Sequence, residues 1–374
     1  MNQTLSENNK RDKKVNHHKP VKLLESGLSL DLNKFGENLS KADYALGVLE
    51  GSQKHLRNSS LLISPLTAKE AAVSSRIEGT QSSVSDIFLY EAGGKSKHLD
   101  TAEVINYRKA MNFAIGELER GRTISVSLIK SLHQILLEGA RHKGTPGKFR
   151  EGEVWIGEKF GDPIEKAIYV PMEPVFVDEY MENLINYIQK SKERPLIKAA
   201  IAHYQFEAVH PFDDGNGRIG RLLIPLILYE KRKISSPILY ISGYLEKYRE
   251  EYINELHMVD KGGTYEDWLN FFFGCSVKQI EETQTMVESI YGLYDDLKKE
   301  FVKIKSPYIM PFIDFIFEAP IFSVPKIMQT LNCSSWMTAK NLVKIFQENG
   351  RIVELSKDGK VKLYGFAPLL KILS

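Results

Sequence analysis

The sequence predicts a mainly α-helical protein: a helical core carrying one β-hairpin, followed by a C-terminal unit that looks like a winged helix. Three observations predict it. Apolar residues recur at helical spacing through most of the chain. Only one internal stretch sets strand-forming residues around turn residues. From Ser306 the pattern changes to three helix-length segments that end in a short hairpin.

Residues 1–20 hold Lys10, Arg11, Lys13, Lys14 and Lys19 with His17 and His18, and read as a basic, disordered leader. Residues 21–110 form an N-terminal helical segment, with helical periodicity over Ala42 to Arg57. Within it, Leu66 to Val84 reads LTAKEAAVSSRIEGTQSSV: Ala68, Glu70, Ala71 and Ala72 favour helix, and Gly79 ends it. Ser74 and Glu78, four apart, share a face of that helix.

Residues 111–275 form the next domain, and helical spacing covers Thr101 to Arg120, Ser125 to Gly139, Val177 to Lys190 and Pro195 to Val209. Trp155-Ile156-Gly157 and Ala167 to Pro171 flank Gly161, Asp162 and Pro163, which predicts the hairpin. The apolar run Leu222, Leu223, Ile224, Leu226 and Ile227 predicts a buried helix. Tyr240, Tyr244, Tyr248 and Tyr252 recur every four residues, as on one packed helix face. Helical spacing resumes over Tyr265 to Lys298, so residues 276–304 read as a connecting helix.

The last domain, 305–374, reads as helices over Tyr308 to Phe317, Val324 to Leu331 and from the Asn332 to Ser335 turn to about Asn349. Ile352 to Leu355, a Ser356-Lys357-Asp358-Gly359 turn and Val361 to Tyr364 then make a hairpin. Nine basic residues meet five acidic ones from Lys305 onward, with Lys340 and Lys344 on the would-be recognition helix. Little arginine or glutamine is present there for base readout, so a protein-contact or dimerisation role competes with DNA binding.

Composition bounds the class. A chain of 374 residues suffices for two or three domains, and 43% hydrophobic with 26% charged residues describes an ordinary soluble protein. A net charge of +2 does not suggest polyanion binding by the whole chain. No apolar run is long enough to span a membrane, and no secretory signal is evident. Two distant cysteines, Cys275 and Cys333, suggest neither a disulfide framework nor a zinc site, which points to a cytoplasmic protein.

The chemistry concentrates in HPFDDGNGRIGR, from His210 to Arg221. Gly215, Asn216 and Gly217 can turn successive backbone N–H groups inward as an anion nest, and the helix that follows adds its N-terminal dipole. Arg218 and Arg221, three residues apart, aim two guanidinium groups at one anion. Asp214 suits Mg²⁺, which binds through one or two carboxylates plus phosphate oxygens. His210 titrates near neutrality and is the natural general base. His203, seven residues upstream, lacks further metal ligands nearby and reads as structural.

This segment resembles the signature of the Fic family, HxFx(D/E)GNGRxxR, at every defined position. The resemblance implies a protein adenylyltransferase, in which AMP passes from ATP to a Ser, Thr or Tyr hydroxyl of a target protein that the sequence does not identify. It implies His210 as base, Asp214 as Mg²⁺ ligand, Phe212 as the loop's core anchor, and Gly215, Asn216, Gly217, Arg218, Ile219, Gly220 and Arg221 as the ATP-binding stretch. Tyr252, and less directly Tyr244, are implied near adenine. Glycine at 217, where the kinase-like branch carries lysine, favours nucleotidyl over phosphoryl transfer.

SSRIEG, Ser74 to Gly79, is similar to the family's inhibitory motif (S/T)xxxE(G/N), which implies that Glu78 pairs with Arg221. The hairpin corresponds to the flap that docks targets by strand addition, although GKFREGEVWIG departs somewhat from the family's version. A DNA-binding regulator or toxin-type module, using the core as a nucleotide sensor, is the alternative.

Overall fold

The computed structural model describes residues 16–24, 28–53, 60–94, 100–157, 163–355 and 361–374. In order, its helices up to the hairpin are α1 (Leu32–Gln53), α2 (Ser60–Ile77), α3 (Val84–Glu91), α4 (Thr101–Glu119) and α5 (Val126–Leu136). Strands β1 (Ile156–Gly157) and β2 (Ala167–Tyr169) follow. Then come α6 (Val177–Lys190), α7 (Pro195–Val209), α8 (Asn216–Glu230), α9 (Ser242–Lys247), α10 (Arg249–Asp260) and α11 (Tyr265–Phe301). The C-terminal unit runs α12 (Ile309–Glu318), β3 (Ile321–Ser323), α13 (Val324–Thr330), α14 (Trp336–Glu348), β4 (Ile352–Glu354), β5 (Leu363–Phe366) and α15 (Ala367–Leu373).

The centre is the α7–α8 pair. Proline at the first turn of α7 suits a position where the N–H has no helical partner. Both helices are apolar almost all round, the pattern of a helix buried on every side. Trp268 of α11 is fully buried against them, its indole N–H donating to the Ala200 carbonyl at 3.0 Å. Helix α1 lies along the 37-residue α11, and α4 packs on α2 and α5.

The predicted bounds hold for α6 and α7 to the residue, and the hairpin pairs Ile156 with Tyr169 and Gly157 with Ala167. Its turn at Gly161 and Asp162 lies outside the described residues, as do the leader up to Val15 and the Ser356 to Gly359 turn. Three expectations are corrected. His17 to Pro20 are not part of a loose leader: the His18 N–H donates to the Val170 carbonyl at 2.8 Å. The divisions at 110/111 and 275/276 fall inside α4 and α11, which run through them without a break. The four tyrosines do not share one helix, because Tyr240 precedes α9 and Tyr248, at φ −111° and ψ 40°, separates α9 from α10.

The C-terminal unit holds a three-stranded antiparallel sheet in the order β3-β5-β4, with Ile321 opposite Gly365 and Val353 also opposite Gly365. Strand β3 was not legible as a strand because it is three residues long and fully buried, so it has no alternation. This unit rests on α2 and α3: the Ser64 hydroxyl donates to the Glu318 carbonyl at 2.6 Å, and Arg108 bridges Ser64 to Glu91. Cys275 and Cys333 are buried free thiols. No helix among the described residues is long and apolar enough to cross a membrane.

Candidate active site

Helix α7 ends at His210, whose backbone takes the left-handed conformation at φ 49°. A non-glycine residue pays strain there, so its surroundings must hold it. Arg150, 3% exposed, does so: its Nε donates to the His210 carbonyl at 2.8 Å, and its backbone N–H donates to the Pro211 carbonyl at 2.9 Å. The loop after His210 is closed by Asn216. Its Oδ1 accepts from the Phe212 N–H at 2.9 Å and its amide donates to the Phe212 carbonyl at 2.8 Å. Phe212 is fully buried and lies flat on His133, ring centroids 3.7 Å apart, as the expected core anchor.

His133 is a residue that sequence reasoning missed. The Gly147 N–H donates to its Nδ1 at 2.8 Å, so the ring proton sits on Nε2, which donates to the Asp214 carbonyl at 2.9 Å. Burial pushes this imidazole down to about 4, so it is neutral at pH 7. A lone histidine inside an amphipathic helix carries no sequence signal for that task.

Only Gly215 takes positive φ, at 78°; Asn216 and Gly217 are already helical. The expected three-residue nest is therefore one left-handed residue followed by a helix start. The first helical bond runs from the Ile219 N–H to the Gly215 carbonyl at 3.1 Å, which leaves the N–H groups of Asn216, Gly217 and Arg218 outside the ladder. Those are the donors a phosphate would meet.

These residues open onto one cavity of 770 Å³, lined by His210, Asp213, Asp214, Gly215 to Arg218, Glu78, Glu103 and the hairpin residues Trp155 to Gly157. That volume falls within the range typical of small-molecule clefts. Burial lowers the His210 imidazole to about 4, with the Glu207 backbone, Glu78 and Asp214 pulling it back up. The ring is thus unprotonated at neutral pH, and its Nδ1 is buried. Arg218, 4% exposed, pairs with Glu103 at 2.6 Å and with Asp214 at 3.3 Å.

Arg221 is 2% exposed, lies beside Tyr252 and Glu207, and reaches to α2 and the turn after it. Nε donates to the Ser74 hydroxyl at 2.9 Å, and one terminal nitrogen donates to the Ser74 carbonyl at 3.0 Å and to the Glu78 carboxylate at 2.6 Å. Burial works to raise the Glu78 carboxyl, but the charge and hydrogen bond of Arg221, with Arg218 and His210 behind it, bring it below the usual range. A Cβ on Gly217 would lie 2.3 Å from the same carboxylate oxygen, so Glu78 occupies the space that glycine leaves open. Eight residues before Glu78, Glu70 is buried and accepts from Tyr107 at 3.2 Å and from Ser242; burial lifts it to about 7. Glu70 and Ser74 of α2 and Glu78 of the turn after it thus all lie toward Arg221, though only the last two stood out in the sequence.

The remaining predicted residues are not at the cavity wall. Ile219 is fully buried in the core, and Gly220 backs onto Glu207, whose carboxylate oxygen would lie 2.2 Å from an added Cβ. The Tyr244 hydroxyl donates to Glu282 of α11 at 2.9 Å, turned away because α9 packs on α11. Tyr252 is buried, stacks on His203 and shares a 2.9 Å hydrogen bond with it. His203 itself is fully buried between Tyr252 and Trp268.

For a divalent ion, the described residues hold no group of three or more His, Cys, Asp or Glu side chains that could form a cage. Mg²⁺ does not need one when phosphate oxygens complete its shell, so a single half-buried carboxylate at Asp214, beside the helix start, fits it. Asp213 instead lies over Gly144, where an added Cβ would meet its carboxylate.

Residues 36–116 match the Fic/DOC family N-terminal model and residues 123–228 the Fic/DOC family model, between them half of the chain. Among curated proteins, the chain is 30% identical to the protein adenylyltransferase fic-1 of Caenorhabditis briggsae over 165 residues, 43% of this chain and 29% of that one. It is 29% identical to a probable protein adenylyltransferase of Aquifex aeolicus over 141 residues, 37% of this chain and 38% of that one. The chain therefore matches only about a third of the length of these relatives. Among solved structures, a Fic family protein from Desulfovibrio desulfuricans G20 aligns at TM-score 0.58 with 18% identity, covering 91% of this chain and 97% of that one. Fic-1 from C. elegans aligns at TM-score 0.52 with 24% identity, covering 70% and 74%. These likenesses concern the fold.

Proposed function

The chain belongs to the Fic/DOC family, and on that premise we propose that it is a protein adenylyltransferase that moves AMP from ATP to a Ser, Thr or Tyr hydroxyl, restrained by its own Glu78. The observation that carries this reading is the meeting, in one cavity, of a neutral buried imidazole and a helix N-terminus with free N–H groups. The target oxygen attacks the α-phosphorus, and its proton passes to the His210 imidazole, which lines the cavity. The bond to the β-phosphate breaks and pyrophosphate leaves. The N–H groups at the start of α8 and Arg218 bind the phosphates, and their work is positioning and electrostatics. Mg²⁺ held by Asp214 would neutralise charge on the phosphate oxygens.

Restraint follows from Arg221. While its guanidinium is held by Ser74 and Glu78 it does not meet the outer phosphate, and the Glu78 carboxylate adds a negative charge where ATP would bring more. The hairpin beside the cavity exposes Trp155 and Ile156, and is the proposed dock for the target.

Incubating the purified chain with α-labelled ATP and a cell extract, followed by mass spectrometry, tests the reading. AMP covalently attached to protein is expected. Salt-sensitive DNA binding with no labelled protein would instead favour the nucleotide-sensing alternative. The metal assignment has its own check. Asp214→Ala should weaken Mg²⁺-dependent ATP binding and transfer together by at least about tenfold, and Asp213→Ala should do less. Titration calorimetry with and without Mg²⁺ reads the difference, and reversed phenotypes would exchange the two carboxylates.

A further inference from the structure

Resting on the restraint by Glu78 proposed above, we propose that Glu207 is a positioning residue for the transfer: it is the carboxylate that takes Arg221 over when Glu78 lets go. Arg221 is 2% exposed, and a buried guanidinium left without a counter-charge is strongly destabilising. In the resting chain Glu78 meets that charge at 2.6 Å. Once this contact opens, and before a nucleotide brings its own charge, the protein itself has to supply another carboxylate.

Two further carboxylates feel the charge of Arg221, Glu70 and Glu207. Glu70 sits on α2, the helix of the restraint, and already accepts from Tyr107 and Ser242. Glu207 sits on α7, three residues before His210, with its side chain 13% exposed. Its Oε1 is buried and accepts no hydrogen bond. That oxygen lies against α8 one residue before Arg221, in the space that Gly220 leaves open: an added Cβ there would stand 2.2 Å from it. A carboxylate oxygen with unused bonding capacity is thus held beside Arg221, on the helix that ends at the base.

Glu207 stays neutral while Glu78 is in place. Besides Arg221 it faces Glu78 from the turn after α2, His203 on α7, Tyr252 on α10 and Tyr169 on β2. Burial lowers His203 to about 3 and raises both phenols, so Arg221 is the cation among these groups. Burial lifts the Glu207 carboxyl to about 8; Arg221 works against this, and the charge of Glu78 adds to it. Two carboxylates beside one guanidinium resist ionising together, and here Glu78 is the one held below the usual range. Below pH 8, therefore, Glu207 is mostly protonated and does not compete for Arg221. Above it, Glu207 ionises, repels Glu78 and draws the guanidinium toward α7. Loss of Glu78 removes the repulsion and lets Glu207 ionise at lower pH. The handover takes Arg221 from the element that restrains it to the one that carries His210.

The test compares the full chain with its Glu78→Gly variant from pH 7 to pH 9, using α-labelled ATP, Mg²⁺ and a cell extract. The ratio of their rates cancels every pH effect the two share. That ratio should fall by at least about threefold as Glu207 ionises and the unaltered chain loses its restraint. Glu207→Gln, an isosteric stand-in for the protonated carboxyl, should keep the ratio at its pH 7 value when placed in both chains. Glu70→Gln should leave the fall in place. Without nucleotide, the NMR resonance of the Arg221 Nε–H, identified by its loss in Arg221→Lys, should shift with a midpoint near pH 8 and stay still in Glu207→Gln. A constant ratio, a fall that survives Glu207→Gln or is lost in Glu70→Gln, or an Arg221 signal that does not move would overturn the proposal and leave AMP transfer intact. Absence of AMP on any protein would instead remove the transfer reading, and the Arg221 signal alone would then decide the role of Glu207.

Discussion

Replacing His210 with alanine should cut AMP transfer by about 10² to 10⁴-fold, the range expected for loss of a general base. ATP affinity should change little, because the helix start and Arg218 are untouched. Alanine at φ 49° is also strained by about 1 kcal/mol, which would slightly loosen the loop held by Arg150 and Asn216. His210→Asn is therefore the cleaner variant, since asparagine tolerates the left-handed region and cannot act as the base. Both should be inactive in a labelled-ATP assay while calorimetry still detects nucleotide. Full transfer by the asparagine variant would refute the assignment.

The second large effect is a gain. Glu78→Gly should raise self-labelling by at least about tenfold, because Arg221 then loses the carboxylate that holds it and can turn toward the outer phosphate. Arg221→Ala in the same background should remove that gain, whereas independent sites would simply add. Arg221 is buried and charged, so its alanine variant leaves α2 without the partner of Ser74, and its fold must be checked by circular dichroism alongside activity. Initial rates at saturating ATP decide the matter: equal rates for Glu78→Gly and the unaltered chain would return Glu78 to the standing of a helix-end carboxylate.

The helices were legible where one face is apolar over three or more turns, as in α6, or where the run is apolar throughout between clear stops, as in α7. The short elements were not. Strand β3 is buried on both faces, and α3 spans eight residues, too few for a periodic signal. In the site, every residue of contiguous motif character from His210 to Arg218 lines or braces one cavity. Its supports did not stand out: His133, Glu70 and Glu103 reach it from separate elements with nothing in their own neighbourhoods to mark the role, and Arg150, although inside the GKFREGEVWIG segment, carried no assigned part. The tyrosines failed for the opposite reason. A regular spacing suggested one face, and a break at Tyr248 sent Tyr244 to α11 and Tyr252 to His203.

Gly217 ties the proposed restraint to the absence of a side chain. The atom that glycine lacks would stand 2.3 Å from a Glu78 oxygen and 2.9 Å from Arg221, so any larger residue at this position must push the carboxylate out of its seat. The same position supplies one of the N–H groups meant for phosphate, at the first turn of α8. Any residue but proline keeps that N–H, so on the proposed reading a larger side chain here is expected to displace Glu78 while leaving the backbone donor in place. If Glu78 restrains transfer as proposed, release is expected from a larger side chain at Gly217 as well as from changes at Glu78 itself.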